Sequence, residues 1–174
     1  MRWLMPRRVA RRFVHQQDGT AAVEFAMVAV PFLALIFAIL ETSLFLFANQ
    51  ILEGAVSDAG RLIMTGQAQT AGFSQTNFLN AVCARLSGMF NCNAITMNVQ
   101  TFSNFTSIST PPPITNGKLD NTKVGYNPGT AGSIVAVALY YHWPIYVSLL
   151  DQLANFGGGR LMVATSVFRV EPYQ

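Results

Sequence analysis

Sixteen residues in a row, 25–40 (FAMVAVPFLALIFAIL), carry no charge, and a cluster of arginines stands before them. Past Glu41 the apolar character resumes through Ala48. Crossing the hydrocarbon layer of a bilayer takes a helix of about 20 residues, so residues 25–48 are long enough to span. Arg2, Arg7, Arg8, Arg11 and Arg12 precede the run, with no comparable cluster just after it. That asymmetry places the N-terminus in the cytoplasm and exports the rest. A buried core helix is the alternative, and it does not account for the cationic leader. Pro31 would break a soluble helix; in a membrane helix it is tolerated as a kink.

Charge tells the same story. Only 11% of residues are charged, against about a quarter in an ordinary soluble domain. The formal net charge of +3 resides in the leader, because residues 20–174 hold six basic and seven acidic side chains. A nucleic-acid partner is therefore not expected, since it needs clustered Lys and Arg on the folded part. Cys83 and Cys92 lie in the segment placed outside the cytoplasm. Their spacing suits one local disulfide, two reduced thiols being the alternative. Two Cys without a nearby His supply too few ligands for zinc, so no metal is expected.

Beyond the span, Ile51, Leu52, Ala55, Val56, Ala59, Leu62 and Ile63 recur at three- and four-residue steps. The helix is predicted to run on to about Thr65, with Gly66 ending it, and this stripe to pack on an exported domain. Residues 74–88 suit a second helix with Phe78, Leu79, Val82 and Leu86 on one face. Residues 95–102 alternate as a half-buried strand does. Residues 103–133, rich in Ser, Thr, Asn, Gly and Pro, read as a long surface loop. Residues 133–142 read as a central strand, residues 144–154 as a short helix, and residues 160–170 as a last strand after the Gly157–Gly159 turn. The expected organisation is a basic leader (1–19), a transmembrane helix with its exported extension (20–66), and an α+β domain (67–174). That domain is expected to hold an antiparallel sheet of about three strands and one or two helices.

No catalytic constellation emerges. His15 lies in the leader and His142 in an apolar strand without a Gly-x-Ser-x-Gly elbow. The glycine triplet is followed by Arg160 and Leu161, which excludes a phosphate-binding P-loop. Asp120 and Asp151 lack partners at acid–base or metal spacing. Neither an enzyme, a cofactor nor a small-molecule substrate is expected.

Glu24, at the cytoplasmic edge of the span, is costly to bury without a partner charge or a helix-end amide. A headgroup-level acid favoured by the helix dipole is one reading. In another, a cut after Gly19 gives Thr20 a new ammonium, and Glu24 of one subunit meets a neighbour's terminus in a low-dielectric bundle.

Gly19 followed by Glu24-Phe25 behind a short basic leader resembles the site recognised by prepilin peptidases. The leader lacks the separate hydrophobic region of a secretory signal peptide. Residues 19–33 (GTAAVEFAMVAVPFL), 50–61 (QILEGAVSDAGR) and 169–173 (RVEPY) resemble TadE-like proteins, pseudopilins of the Tad (Flp) pilus assembly system. The resemblance implies cleavage after Gly19 by a prepilin peptidase, with Gly19, Thr20, Glu24 and Phe25 as the processing site and Glu24 setting subunit registry. It also implies an inner-membrane, single-pass protein with a periplasmic C-terminal domain. Its partners would be the bilayer and other pilus or pseudopilin subunits. Related Tad proteins sharing this signature are not all cleaved, so an uncleaved, anchored envelope or pilus-accessory protein is the alternative.

Overall fold

A computed structural model describes residues 19–86, 88–147 and 154–173. The chain divides into two compact units, Met1–Leu40 and Glu41–Gln174. Helix α1, Thr20–Met64, contributes to both. Its 45 residues, at about 1.5 Å each, make a rod of about 67 Å.

In the first unit α1 is apolar on every side. Val23, Phe25, Val28, Phe32, Leu35 and Ile39 are all exposed, and the most apolar stretch buries nothing within the protein. Each such side chain left in water forgoes about 1.5–3 kcal/mol of burial, and a dozen forgo more than a domain's whole stability. Lipid is the solvent that suits them. The helix runs through Pro31.

In the second unit α1 turns amphipathic and supplies the spine of a core. Ala48, Leu52, Ala55, Val56, Ala59 and Ile63 are buried. The stripe predicted to pack on the domain does so, and it draws Ala48 out of the lipid-facing run that the sequence carried to that residue. The helix ends at Met64. Gly66 takes the left-handed φ of 77° as expected, and the Gly66 N–H donates to the Ile63 carbonyl at 3.1 Å. A one-turn helix α2, Gln67–Thr70, follows, an element not expected from the residue pattern.

Helix α3, Gln75–Cys83, starts at Ser74, whose hydroxyl accepts the Asn77 N–H at 3.2 Å. It is shorter than the helix expected over 74–88: Leu86 is buried beyond its end, in a turn rather than on the helix face. Cys83 and Cys92 are disulfide-bonded, with Cα atoms 6.0 Å apart.

Three antiparallel strands form the main sheet in the order β1 (Thr96–Phe102), β4 (Ile134–Pro144), β5 (Gly159–Arg169). The central strand is the one read as central. Val99 faces Val137, and Leu139 faces Ala164. On the inner face Met97, Val99, Val137, Leu139, Met162 and Ala164 join the helical residues in one core. The protein is α+β, a long N-terminal helix followed by a three-stranded antiparallel sheet with short helices.

The outer face departs from expectation. Thr96 and Asn98, on the polar side of β1, are buried because residues 103–133 fold over them. Asn98 Oδ1 accepts the Gly125 N–H at 3.0 Å, and Thr96 Oγ1 donates to Asn121 Oδ1 at 2.6 Å. Val99 exchanges backbone bonds with Gly125 and Asn127, closing the edge of β1. The Tyr140 hydroxyl points to the Thr110 and Pro111 carbonyls at 3.0 and 3.2 Å, pinning the loop from below. Inside the loop lies an unforeseen hairpin, β2 (Ile114–Thr115) and β3 (Lys118–Leu119). Its turn residues Asn116 and Gly117 both have positive φ, as a type I′ turn requires. Of the short helix expected over 144–154, Pro144 instead closes β4 and residues 145–147 are not helical. The remainder of that expectation, up to residue 153, lies outside the described residues.

Candidate functional site

Gly19 is exposed, and there is open space where its side chain would stand. Thr20 is the first residue of α1, so the junction between them lies where helix begins. Glu24 and Phe25 are exposed too. The first turn of α1 contains no acid, and Glu24 comes a turn later. Dipole stabilisation of an anion fades within the first turn, so the helix end does little for this carboxylate. No side chain among the described residues hydrogen-bonds it. Residues 1–18, with the leader arginines, lie outside the described residues.

A second feature joins two stretches the sequence marked separately. Residues 50–61 lie on α1, and residues 169–173 start at the last residue of β5 and run past it. The Glu171 N–H donates to the Met64 carbonyl at 2.8 Å, one of the acceptors a helix end leaves open. The Tyr173 ring lies against Gly66, where any side chain would overlap it. Earlier on α1, Gly60 lets β5 approach the helix: a methyl there would come within 2.8 Å of the Phe168 ring. Gln69 Nε2 reaches both the Ile63 and the Pro128 carbonyls, tying the helix end to the loop. The sequence signal for such close packing is a glycine within an Ala-rich helical stripe, as at Gly60.

The polar clusters are occupied by the fold itself. His142 Nε2 lies 3.1 Å from the Phe156 carbonyl, and its ring meets Phe156 edge-on, which holds the glycine turn against β4. A small apolar hollow beside it is lined by Gly117, Lys118, Leu119, Phe156 and Gly157. Asp120 accepts from the Thr122 and Thr115 hydroxyls and the Thr122 amide, which lowers its pKa to about 2. Those bonds knit the hairpin to the turn after it. Burial pushes the Tyr126 and Tyr140 phenols above their usual range. Among the described residues no three of His, Cys, Asp and Glu stand together as metal ligands. Asp151 lies outside the described residues.

No curated protein and no solved structure matches the chain. A family model does, over residues 19–61, which begin at Gly19 and run along α1 to the joint with β5. Its description is TadE-like protein, so residues 19–61 are similar to the family that the sequence resembles.

Proposed function

We propose that the protein is a pilin-like (pseudopilin) component required for assembly of a Tad (Flp-type) adhesive pilus. It is anchored by α1 in the inner membrane, with residues 1–19 cytoplasmic and the α+β unit periplasmic. A prepilin peptidase cuts it after Gly19. The observation that carries this reading is the coincidence of the TadE-like match with one helix. That helix opens directly after Gly19, is exposed and apolar to Leu40, and then becomes the spine of a folded unit. Such a helix serves a subunit that is stored in a bilayer and later packs among other helices.

In this mechanism cleavage removes the five leader arginines, which oppose extraction because they hold the N-terminus at the cytoplasmic face. It also gives Thr20 an ammonium. Glu24, unpartnered within the described chain, is the carboxylate that such an ammonium on a neighbouring subunit would meet. The bundle core excludes water, so the pair draws subunits into register. Reaction chemistry has no part in this role; the protein acts by assembling.

The deciding experiment reads the N-terminus of the mature protein from its native membranes by mass spectrometry. Chains starting at Thr20 support a processed pseudopilin. Chains that keep residues 2–19 overturn processing and leave an anchored pilus-accessory protein.

A further inference from the structure

Glu41 ends the uncharged run, and it is committed rather than free. Its Oε1 accepts the Tyr146 N–H at 2.7 Å, and its Oε2 accepts the Val147 N–H at 2.8 Å. One carboxylate thereby holds two successive amides of the segment that leaves β4. The Tyr146 side chain, beside this fork, is 74% exposed. On α1, within the next two turns, Leu44, Leu46 and Phe47 are exposed as well, the last two by 58% and 59%. The Arg160 guanidinium lies 4.3 Å over the Phe45 ring, so the same end of the unit carries a cation. An aromatic with a polar tip, exposed aliphatics and a cation gathered where the uncharged run of α1 ends form the composition of a membrane–water interface.

We propose that this end of the Glu41–Gln174 unit is a foot that rests in the headgroup layer of the bilayer, with Tyr146 as its anchor and Glu41 as the residue that positions it. The proposal rests on the reading that α1 spans the membrane. Distances agree with it. From Thr20 to Leu40 about 20 residues at about 1.5 Å cover about 30 Å, the thickness of the hydrocarbon core. Glu41 then falls at its outer boundary, and Leu44 to Phe47 lie about 5–9 Å beyond it, the depth of the headgroup region. A carboxylate at that boundary is costly unless its oxygens are hydrogen-bonded; two amide donors supply that. In water the exposed residues would be an unexplained apolar patch. At the interface they are solvated by lipid on one side and water on the other.

The test uses the full chain in phosphatidylcholine–phosphatidylglycerol vesicles. Tyr146→Trp is made on a Trp3→Phe background, and the emission of the same background with Tyr146 retained is subtracted to remove Trp143. Carbonate extraction first establishes insertion; a chain that washes off overturns the membrane reading itself. For the inserted chain, lipids brominated near the headgroup are expected to quench the added emission about twofold, and aqueous acrylamide only weakly. Full acrylamide quenching with no bromolipid effect would place the ring in water and overturn the foot. Protection from both quenchers that vanishes on dilution of protein in lipid would mean that a second copy covers the patch, which also overturns it. A second variant addresses positioning. Glu41→Ala is expected to speed amide exchange at Tyr146 and Val147 about tenfold and to abolish the shallow quenching. Unchanged exchange and quenching would remove Glu41 from the account.

Discussion

Two carboxylates flank the uncharged run, and their surroundings differ. Glu41 has both oxygens satisfied by amides of its own unit. Glu24 has no hydrogen-bond partner among the described residues and lies past the reach of the helix end. A lone carboxylate in a helix bundle is costly, whereas a contact with an ammonium at 4 Å is worth about 4 kcal/mol at an effective dielectric of 20. Under the proposed function the partner Glu24 lacks among the described residues is a neighbouring subunit's new N-terminus, the group the proposed cut creates. Glu24→Ala is expected to abolish pili, by electron microscopy of shed filaments, while the mature N-terminus still reads Thr20. Glu24→Gln separates charge from hydrogen bonding and is expected to fail as well. Normal pili in either variant would remove Glu24 from subunit registry.

At the level of elements, α1 changes solvent part-way along, and two glycines, Gly54 on its buried half and Gly66 just past its end, show what that half needs. Gly66 has a left-handed backbone and the Tyr173 ring against it. A side chain there costs about 1–2 kcal/mol in conformation alone, before the ring is displaced. Gly66→Ala is thus expected to lower the melting temperature by about 2–8 °C, at about 2–4 °C per kcal/mol for a unit this size. Gly54, exposed on the same helix with open space around it, should behave oppositely. Gly54→Ala is expected to gain about 0.5–1 kcal/mol from helix propensity. Equal melting of the two variants in circular dichroism would contradict the joint described for Gly66. Local signals explain what was legible in the sequence here: the three-four stripe of α1, the helix opening at residue 74, the Gly66 stop and the turn before β5. The Asn116-Gly117 hairpin signal was equally local but was absorbed into a loop defined by composition. What lay beyond reach was non-local. Asn98 looks solvent-facing until residues 121–127 cover it, and Glu41 looks like an interruption until a segment 105 positions away meets it. The proposed processing residues are legible only as a pattern, since no side chain among the described residues hydrogen-bonds Glu24.

For the whole molecule, the consequence is that the anchor helix cannot be separated from the head at Gly66. Leu52, Val56, Ala59 and Ile63 complete the core against β1, β4 and β5. Each large buried side chain contributes about 1.5–3 kcal/mol, so losing the whole stripe consumes the 5–15 kcal/mol that holds a domain together. A fragment of residues 41–174 is expected to fold, with dispersed amide spectra and a cooperative melt. A fragment of residues 67–174 is expected to remain unfolded or aggregate even when oxidised, because closing one short loop through Cys83–Cys92 adds only about 2–4 kcal/mol. Reduction of the longer fragment should lower its stability by that amount, and alkylation of both thiols before reduction would exclude the bond. The functional meaning follows from the same packing. Under the proposed function, whatever draws the head away from the membrane would take α1 with it, so extraction of the subunit and delivery of its apolar helix to a neighbour would be one event. Cooperative unfolding of residues 67–174 alone would break that link and make α1 a tether on which an independent head is carried.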